Sequence, residues 1–477
     1  MHATFSRAFF LRGAIGLGVA GWVAGPGRFG TAHGEAPAAD WVKLRSQVQG
    51  RVITAGDADY GKAKQVFNTR FDDRTPAAVV QVANVDDVAA AVRFAAENDL
   101  VVAARAGGHS YVGASTANGA LIVDVRRLTG IHCREGKAVV AAGMSMYGVY
   151  RELDRHQQTL PGGICPAIGV AGVTLGGGIG IESRCQGLTC DSLVAAQLVL
   201  PDGTVTEVSE SQRPELLWAL RGAGSSIGVV TSLTYRTQPA TSKDIVRLTF
   251  SGADTTRAIS GWSDYCRSAD RAQWADLTVD ADGHGGISCW IQLTGPAGTG
   301  PRATAAFTDA TTKPLTSDCR TLTHMDTVTH LAGGHETQPR ASFTCGSDII
   351  TELSADAIDA IVEAVTAHSA AGGTGWTHIN TLDGALRDTR PGDTAFPWRE
   401  HAALVEWGAY QPVPHEVAAA WIADAHQLIE FVSAGAYANY LEEGDSAQRY
   451  YSHNLPRLTT LRQLVDPDNR MYTGLAD

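Results

Sequence analysis

Two nucleophilic side chains sit in glycine-rich stretches 56 residues apart. His109 stands in Arg105-Ala106-Gly107-Gly108-His109-Ser110. Cys165 stands in Pro161-Gly-Gly-Ile-Cys165-Pro-Ala-Ile168-Gly169-Val-Ala-Gly172-Val173-Thr174-Leu-Gly176-Gly177-Gly-Ile-Gly180. Glycines let backbone approach a flat, phosphorylated ligand and turn unpaired N–H groups toward a pyrophosphate. Arg105 and Ser110 add side-chain donors. An imidazole and a thiol placed this way could hold a flavin by two covalent bonds, one on each edge of the ring system.

The elements that must position these loops follow from hydrophobic period. Val101–Arg105 reads as a buried strand running straight into the His109 loop. Ala78-Val-Val-Gln-Val, Ala120–Asp124, Ala138–Ala142, Leu193–Leu200, Thr204–Val208 and Gly228–Tyr235 read as further strands. Val85–Asn98 has the 3.6 spacing of a helix, and a helix over Tyr147–Gln157 leads toward Cys165. Past residue 244 the pattern continues with strands at Ile245–Phe250, Ala275–Val279, Ile287–Leu293, Trp376–Thr381 and Ala402–Ala409. Helices are expected near Asp254–Ser268, Ala355–Ala370 and His415–Val432. The class is α+β, in two layers that suggest two domains.

Length agrees, since 477 residues exceed one comfortable core. With 44% hydrophobic and 18% charged residues the chain is globular. A net charge of −12 argues against nucleic acid as a partner. The eight cysteines form no C-x-x-C pair and no zinc spacing, so no metal site is expected. Residues 1–38 read as an export signal: Arg7 and Arg12 precede an apolar run from Gly13 to Gly25, too short for a stable membrane span. Ser6–Arg12 resembles a twin-arginine signal with Ala8 in place of the second arginine; the alternative is a cytoplasmic chain with an uncleaved tail. Gly16-Leu-Gly18-Val-Ala-Gly21 matches G-x-G-x-x-G, but without a preceding strand it is no dinucleotide site.

The two loops resemble those of the berberine bridge enzyme-like family, within the vanillyl-alcohol oxidase (PCMH-type) group of FAD enzymes. The resemblance continues through Ser183–Asp191, Leu217-Trp218-Ala-Leu-Arg-Gly222, Gly228-Val229-Val230, Thr394-Ala-Phe396-Pro397-Trp398-Arg399, Tyr437-Ala-Asn439-Tyr440 and Tyr450–Leu458. It implies a two-domain PCMH-type FAD-binding fold with an antiparallel-sheet substrate domain inserted before the C-terminal segment. The FAD domain would comprise residues 45–243 and 434–477, and the substrate domain 244–433. It implies FAD joined through its 8α-methyl carbon to His109 and through C6 to Cys165. The contacts extend over residues 105–110, Ile168, Gly169, Gly172, Val173, Thr174, Gly176, Gly177, Gly180, Asp191, Gly228, Val229, Val230, Asn439 and Asn454.

The resemblance also implies hydride abstraction from an alcohol, sugar or secondary-metabolite carbon of a small molecule. Tyr437 is the expected base, with Tyr440 three residues on; on a strand the two would face opposite ways. Glu406, in an apolar strand, is a second candidate. Two departures modify the expectation. Val173 replaces a histidine common in the family, with Thr174 as the substitute donor, and Ile168 crowds the side from which oxygen reaches the flavin. A dehydrogenase with an unknown acceptor is therefore expected. The alternatives are a monocovalent oxidase using O₂ and a secreted flavin-binding protein without turnover.

Overall fold

Alternating side-chain direction along each strand gives the largest sheet two different faces. The computed structural model describes residues 39–475; the expected export segment, 1–38, lies outside the described residues. Eight antiparallel strands run in the order Thr316–Leu322, Lys243–Phe250, Ile287–Pro296, Trp274–Asp282, Thr374–Thr381, Ala403–Tyr410, Phe343–Ile350, Ser433–Gly435. On one face Val246, Leu248, Leu277, Val279, Ile291, Val405 and Trp407 pack against the helices Thr255–Ser268, Gly300–Ala310, Ala355–Ala370 and His415–Leu428. Each such aliphatic side chain contributes about 1.5–3 kcal/mol by burial. Residues between them must point the other way. Thr278 therefore lies opposite both Trp290 and His378, and His378 lies opposite Glu406. The helices stabilise one face and leave the other free to carry polar groups.

A smaller sheet positions His109. Ala78–Gln81 and Val102–Arg105 both run parallel to Leu121–Asp124 between them, with Arg51–Thr54 antiparallel at the edge. The helix Val85–Glu97 links the first two of these parallel strands. Its cap is Asn84, whose side chain accepts the Asp87 N–H at 2.9 Å. Asp87 in turn accepts the N–H groups of Gln49, Gly50 and Ala83, each at 2.8 Å, tying the helix start to the sheet edge. A five-stranded antiparallel sheet follows, in the order Ile131–Arg134, Lys137–Ala141, Val229–Arg236, Leu193–Val199, Val205–Ser209.

The periodic elements appear where their hydrophobic spacing places them, with ends shifted by a few residues. Several elements escaped that reasoning, among them the strands Arg51–Thr54 and Thr316–Leu322, the helix Gly300–Ala310 and the two that bear on the site. The strand Phe343–Ile350 is buried throughout although it holds Thr344, Ser347 and Asp348, so no hydrophobic period marks it. The glycine stretch around Cys165 contains a short helix, Val170–Leu175, beginning after Gly169.

Candidate active site

The His109 and Cys165 loops meet. A Cβ on Gly107 would collide with the Gly169 backbone nitrogen, and one on Gly169 with the nitrogen of Gly107. Only two glycines permit that contact. The Cys165 loop is pinned from below, because the Met146 N–H donates to the Ile168 carbonyl and the Val170 N–H to the Met144 carbonyl, both at 2.9 Å. Gly180 closes the stretch on itself, where a side chain would strike the Gly162 carbonyl. Gly108, at φ +70°, turns the other loop, and its carbonyl accepts the Phe67 N–H at 2.9 Å. A cavity of about 630 Å³ borders the junction, lined by Gly107, Ala167, Gly169, Arg126 and Ser145 among others.

The two nucleophiles differ in readiness. The His109 ring stacks on Phe67 at 4.0 Å, and burial lowers its pKa to about 4. At neutral pH the imidazole is therefore uncharged and keeps a lone pair. Cys165 opens to solvent on one side. The protein on its other sides, together with the charge of Glu406, pushes its thiol up to about 11. It must lose a proton before it can bond to carbon.

Aromatic contacts lead from His109 to the sheet face opposite the helices. Phe67 meets Phe343, Phe343 meets Tyr111 edge-on at 5.2 Å, and Tyr111 stacks on Tyr440 at 5.0 Å and 3°. Tyr440 meets Tyr437 edge-on at 4.9 Å. The Tyr111 hydroxyl donates to Glu406 Oε1 at 2.7 Å. Burial raises the Glu406 pKa; His378 and the Tyr111 hydrogen bond work the other way. Glu406 lines a cavity of about 540 Å³ with Asp280, Trp290, Trp376, His378 and Tyr410. Asp280 accepts the Trp290 indole N–H at 3.0 Å, and His378 Nδ1 lies 2.8 Å from the Thr278 hydroxyl. Sequence reasoning missed Tyr111, although it directly follows the Arg105–Ser110 loop, and missed His378 and Asp280.

The two expected tyrosines do not sit on a strand. The Tyr440 N–H donates to the Tyr437 carbonyl at 2.8 Å, a turn that brings both rings to one side. Tyr437 is only 2% exposed. Its oxygen accepts the Gly178 N–H and the Asn439 amide, each at 2.8 Å. Burial raises its pKa despite those bonds. Tyr437 thus faces the glycine stretch, whereas Tyr440 faces Tyr111 and the Glu406 region.

Several side chains expected to contact the cofactor have protein partners. Arg105 is 0% exposed and pairs with Asp124 at 2.8 Å and with the Ala63 carbonyl at 2.6 Å, so it cannot reach out to a phosphate. Thr174 does not replace the missing histidine, because its hydroxyl is buried at 2.7 Å from both the Val170 carbonyl and the Tyr235 hydroxyl. Asp191 is held by a two-pronged bond from Arg399 at 2.7 and 2.8 Å. Asn454 donates to the carbonyls of Pro391 and Thr394. These four residues brace the loops. Gly228, Val229 and Val230 are buried, the two valines paired with Val199 and Leu198 of the neighbouring strand. Asn439 donates to the Val173 carbonyl at 3.0 Å, and a side chain on Gly176 would displace it. Ser110 Oγ accepts the Ala114 N–H at 3.0 Å, while Ala106, Ile168, Gly172 and Val173 keep exposed surface beside the loops. Gly177 abuts Phe396 and Tyr437.

The chain is similar to known flavin-dependent proteins. Residues 76–209 match the model of an FAD binding domain. An FAD-linked oxidoreductase of Bacillus subtilis (strain 168), YgaK, is 28% identical over 89% of this chain and 96% of its own length. A chitooligosaccharide oxidase of Gibberella zeae is 27% identical over 83% of this chain and 85% of its own. The structure of a Physcomitrella patens BBE-like protein superposes with a TM-score of 0.83 at 23% identity, covering 90% of this chain and 97% of that one. The residues fit such a cofactor: a neutral imidazole and an open thiol stand in two loops whose backbones meet at Gly107 and Gly169, beside a cavity lined by those glycines. Residues 76–209 thus carry an FAD binding domain, the chain is similar along most of its length to FAD-linked oxidoreductases, and its fold is that of the berberine bridge enzyme-like proteins.

Proposed function

We propose that the chain oxidises a hydroxyl-bearing carbon of a small molecule, with FAD held by His109 and Cys165 and Glu406 taking the hydroxyl proton. When bound, FAD supplies the hydride acceptor. Glu406 carries the proton step because its carboxylate lies on the sheet face opposite the helices and lines the 540 Å³ cavity, within reach of a substrate there. Tyr111 holds one carboxylate oxygen at 2.7 Å and so orients the other. Tyr440, stacked on Tyr111, closes the side of the site toward Cys165, whose charge it would feel. Burial keeps the Glu406 pKa above the usual carboxylate range, nearer the operating pH, where a general base works best.

The observation that carries this reading is the Tyr111–Glu406 hydrogen bond, which joins the His109 loop to the sheet. The chitooligosaccharide oxidase relative supports a saccharide hydroxyl as the donor class, and the tryptophans and tyrosine of the cavity are suited to stack on a pyranose ring. Ile168, packed toward Gly163, supports an acceptor other than O₂. The signal-like pattern of residues 1–38 supports a location outside the cytoplasm. Residues 45–243 with 434–477 form the FAD domain and 244–433 the substrate domain.

An anaerobic panel of oligosaccharides and simple alcohols, followed by flavin absorbance, tests the reading. At least one saccharide bleaches the wild-type flavin, and Glu406→Gln slows that step about 10²-fold or more while retaining the flavin. A folded Glu406→Gln variant reduced at the wild-type rate rejects the base. Tyr437 is the second reading, favoured by the two N–H groups its oxygen accepts; Tyr437→Phe at the Glu406→Gln level would select it.

A further inference from the structure

We propose that His426 is a positioning residue: bridging Asp348 and Glu442, it locks a charge clamp at the sheet edge that fixes the Tyr437–Tyr440 turn against Glu406. The inference rests on the reading of Glu406 and Tyr440 as residues of the active site.

The clamp begins at Ser347, which lies opposite Glu406 in the strand register. The neighbouring strand Ser433–Gly435 pairs only with Ile349 and Ile350, so it stops short of Ser347. An ion pair stands in its place. The Ser347 N–H donates to Glu442 Oε1 at 3.1 Å, and the Ser347 carbonyl accepts Arg449 Nη2 at 2.8 Å. Glu442 and Arg449 are themselves joined at 2.8 Å. The Ser347 hydroxyl oxygen accepts the Tyr437 N–H at 3.1 Å. One strand residue thus holds both ends of the segment from Tyr437 to Glu442. A Cβ on Gly346 would stand 2.5 Å from the Glu442 carboxylate, so glycine there is what admits the clamp.

His426, on the helix His415–Leu428, fastens this pair to the sheet. Its Nδ1 lies 2.6 Å from Asp348 Oδ2 and its Nε2 lies 2.9 Å from Glu442 Oε2. Both ring nitrogens donate only in the imidazolium form. Asp348 also accepts the Trp407 indole N–H and the Ser433 hydroxyl, at 2.9 and 2.6 Å. Arg449 Nη2 approaches the ring nitrogens at 3.2 and 3.3 Å, and Arg449 Nη1 binds Asp445 at 2.5 Å. Tyr450 donates to Asp445 and accepts the Glu442 N–H, both at 2.8 Å. Two cations therefore face three carboxylates. Cys345 shows the link to the active site, since its thiol is pushed up by burial and then by Glu406 and Glu442 together.

Burial opposes the charge on His426, yet its bonds to Asp348 and Glu442 carry it up to about 9. Because the folded value exceeds the ordinary 6.5 of histidine, the stabilisation the clamp contributes is full below about pH 6.5 and is lost as pH rises through about 9.

Pulse hydrogen exchange of the flavin-loaded protein, read by mass spectrometry on a peptide covering residues 433–442, tests this without any substrate. Rates are expressed relative to the intrinsic rate at each pH. In the wild type the peptide is protected at pH 7 and loses protection at least tenfold with a midpoint near pH 9, while a peptide covering 193–199 does not change. His426→Gln removes the midpoint and exposes the segment at every pH; His426→Lys restores protection and moves the midpoint upward. Constant protection in the wild type from pH 7 to 10, or the same midpoint in His426→Gln, overturns the proposal. The wild-type profile decides if a variant fails to fold. Failure here rejects the clamp alone, whereas a fast Glu406→Gln enzyme rejects the catalytic reading.

Discussion

Tyr111→Phe isolates one hydroxyl at the centre of the proposed mechanism. Phenylalanine keeps the ring that stacks on Tyr440 at 5.0 Å and meets Phe343 at 5.2 Å. It removes only the 2.7 Å hydrogen bond to Glu406 Oε1. A hydrogen bond to a charged group is worth about 1.5–3 kcal/mol. That bond favours the carboxylate over the carboxylic acid, so losing it raises the Glu406 pKa by the equivalent of that free energy. The sign matters, because the base must be ionised to accept a proton. The acid limb of the flavin-reduction profile, measured by anaerobic rapid mixing from pH 4 to 9 with a saccharide that bleaches the wild type, should move upward by that amount. The rate on the alkaline plateau should change much less. An acid limb that stays within a few tenths of a unit of wild type would show that Tyr111 and Glu406 do not act together.

Three further outcomes follow from the packing. Gly107→Ala drives a Cβ into Gly169, which should cost about 1–3 kcal/mol and lower the flavin-to-protein ratio of the purified enzyme; an unchanged ratio and melting temperature would contradict the loop contact. Asp191→Asn leaves Arg399 buried without its charge partner, so urea unfolding should report a loss of about 3–5 kcal/mol, and a loss below 1 kcal/mol would refute the brace. Ile168→Val should speed reoxidation of the reduced enzyme by O₂ in stopped flow; equal rates would remove Ile168 as the cause of slow oxygen reaction.

Legibility in the sequence followed range. His109 and Cys165 are readable because each lies in a glycine cluster whose backbone needs are local. Phe343–Ile350 was not, because burial of Thr344, Ser347 and Asp348 depends on partners on other strands and helices. Arg105 looked like a phosphate donor until Asp124, 19 residues away on the adjacent strand, took its charge. The Tyr111–Glu406 bond spans 295 residues, and no periodicity announces such a contact. Alternation did place Glu406 between Val405 and Trp407, on the opposite face from the core; that this face is the enclosed one toward Tyr111 is a property of the assembled sheet. The Tyr437–Tyr440 pair was found by its motif, but its turn depends on Ser347, which the missed strand carries.

The central claim is that His109 and Cys165 both hold the flavin. Intact mass of the acid-denatured protein tests it most directly, for the wild type, His109→Ala, Cys165→Ala and the double variant. The account predicts that the wild type and each single variant retain one FAD through the remaining bond, and that only the double variant releases it. Release of all FAD from the denatured wild type would contradict the account.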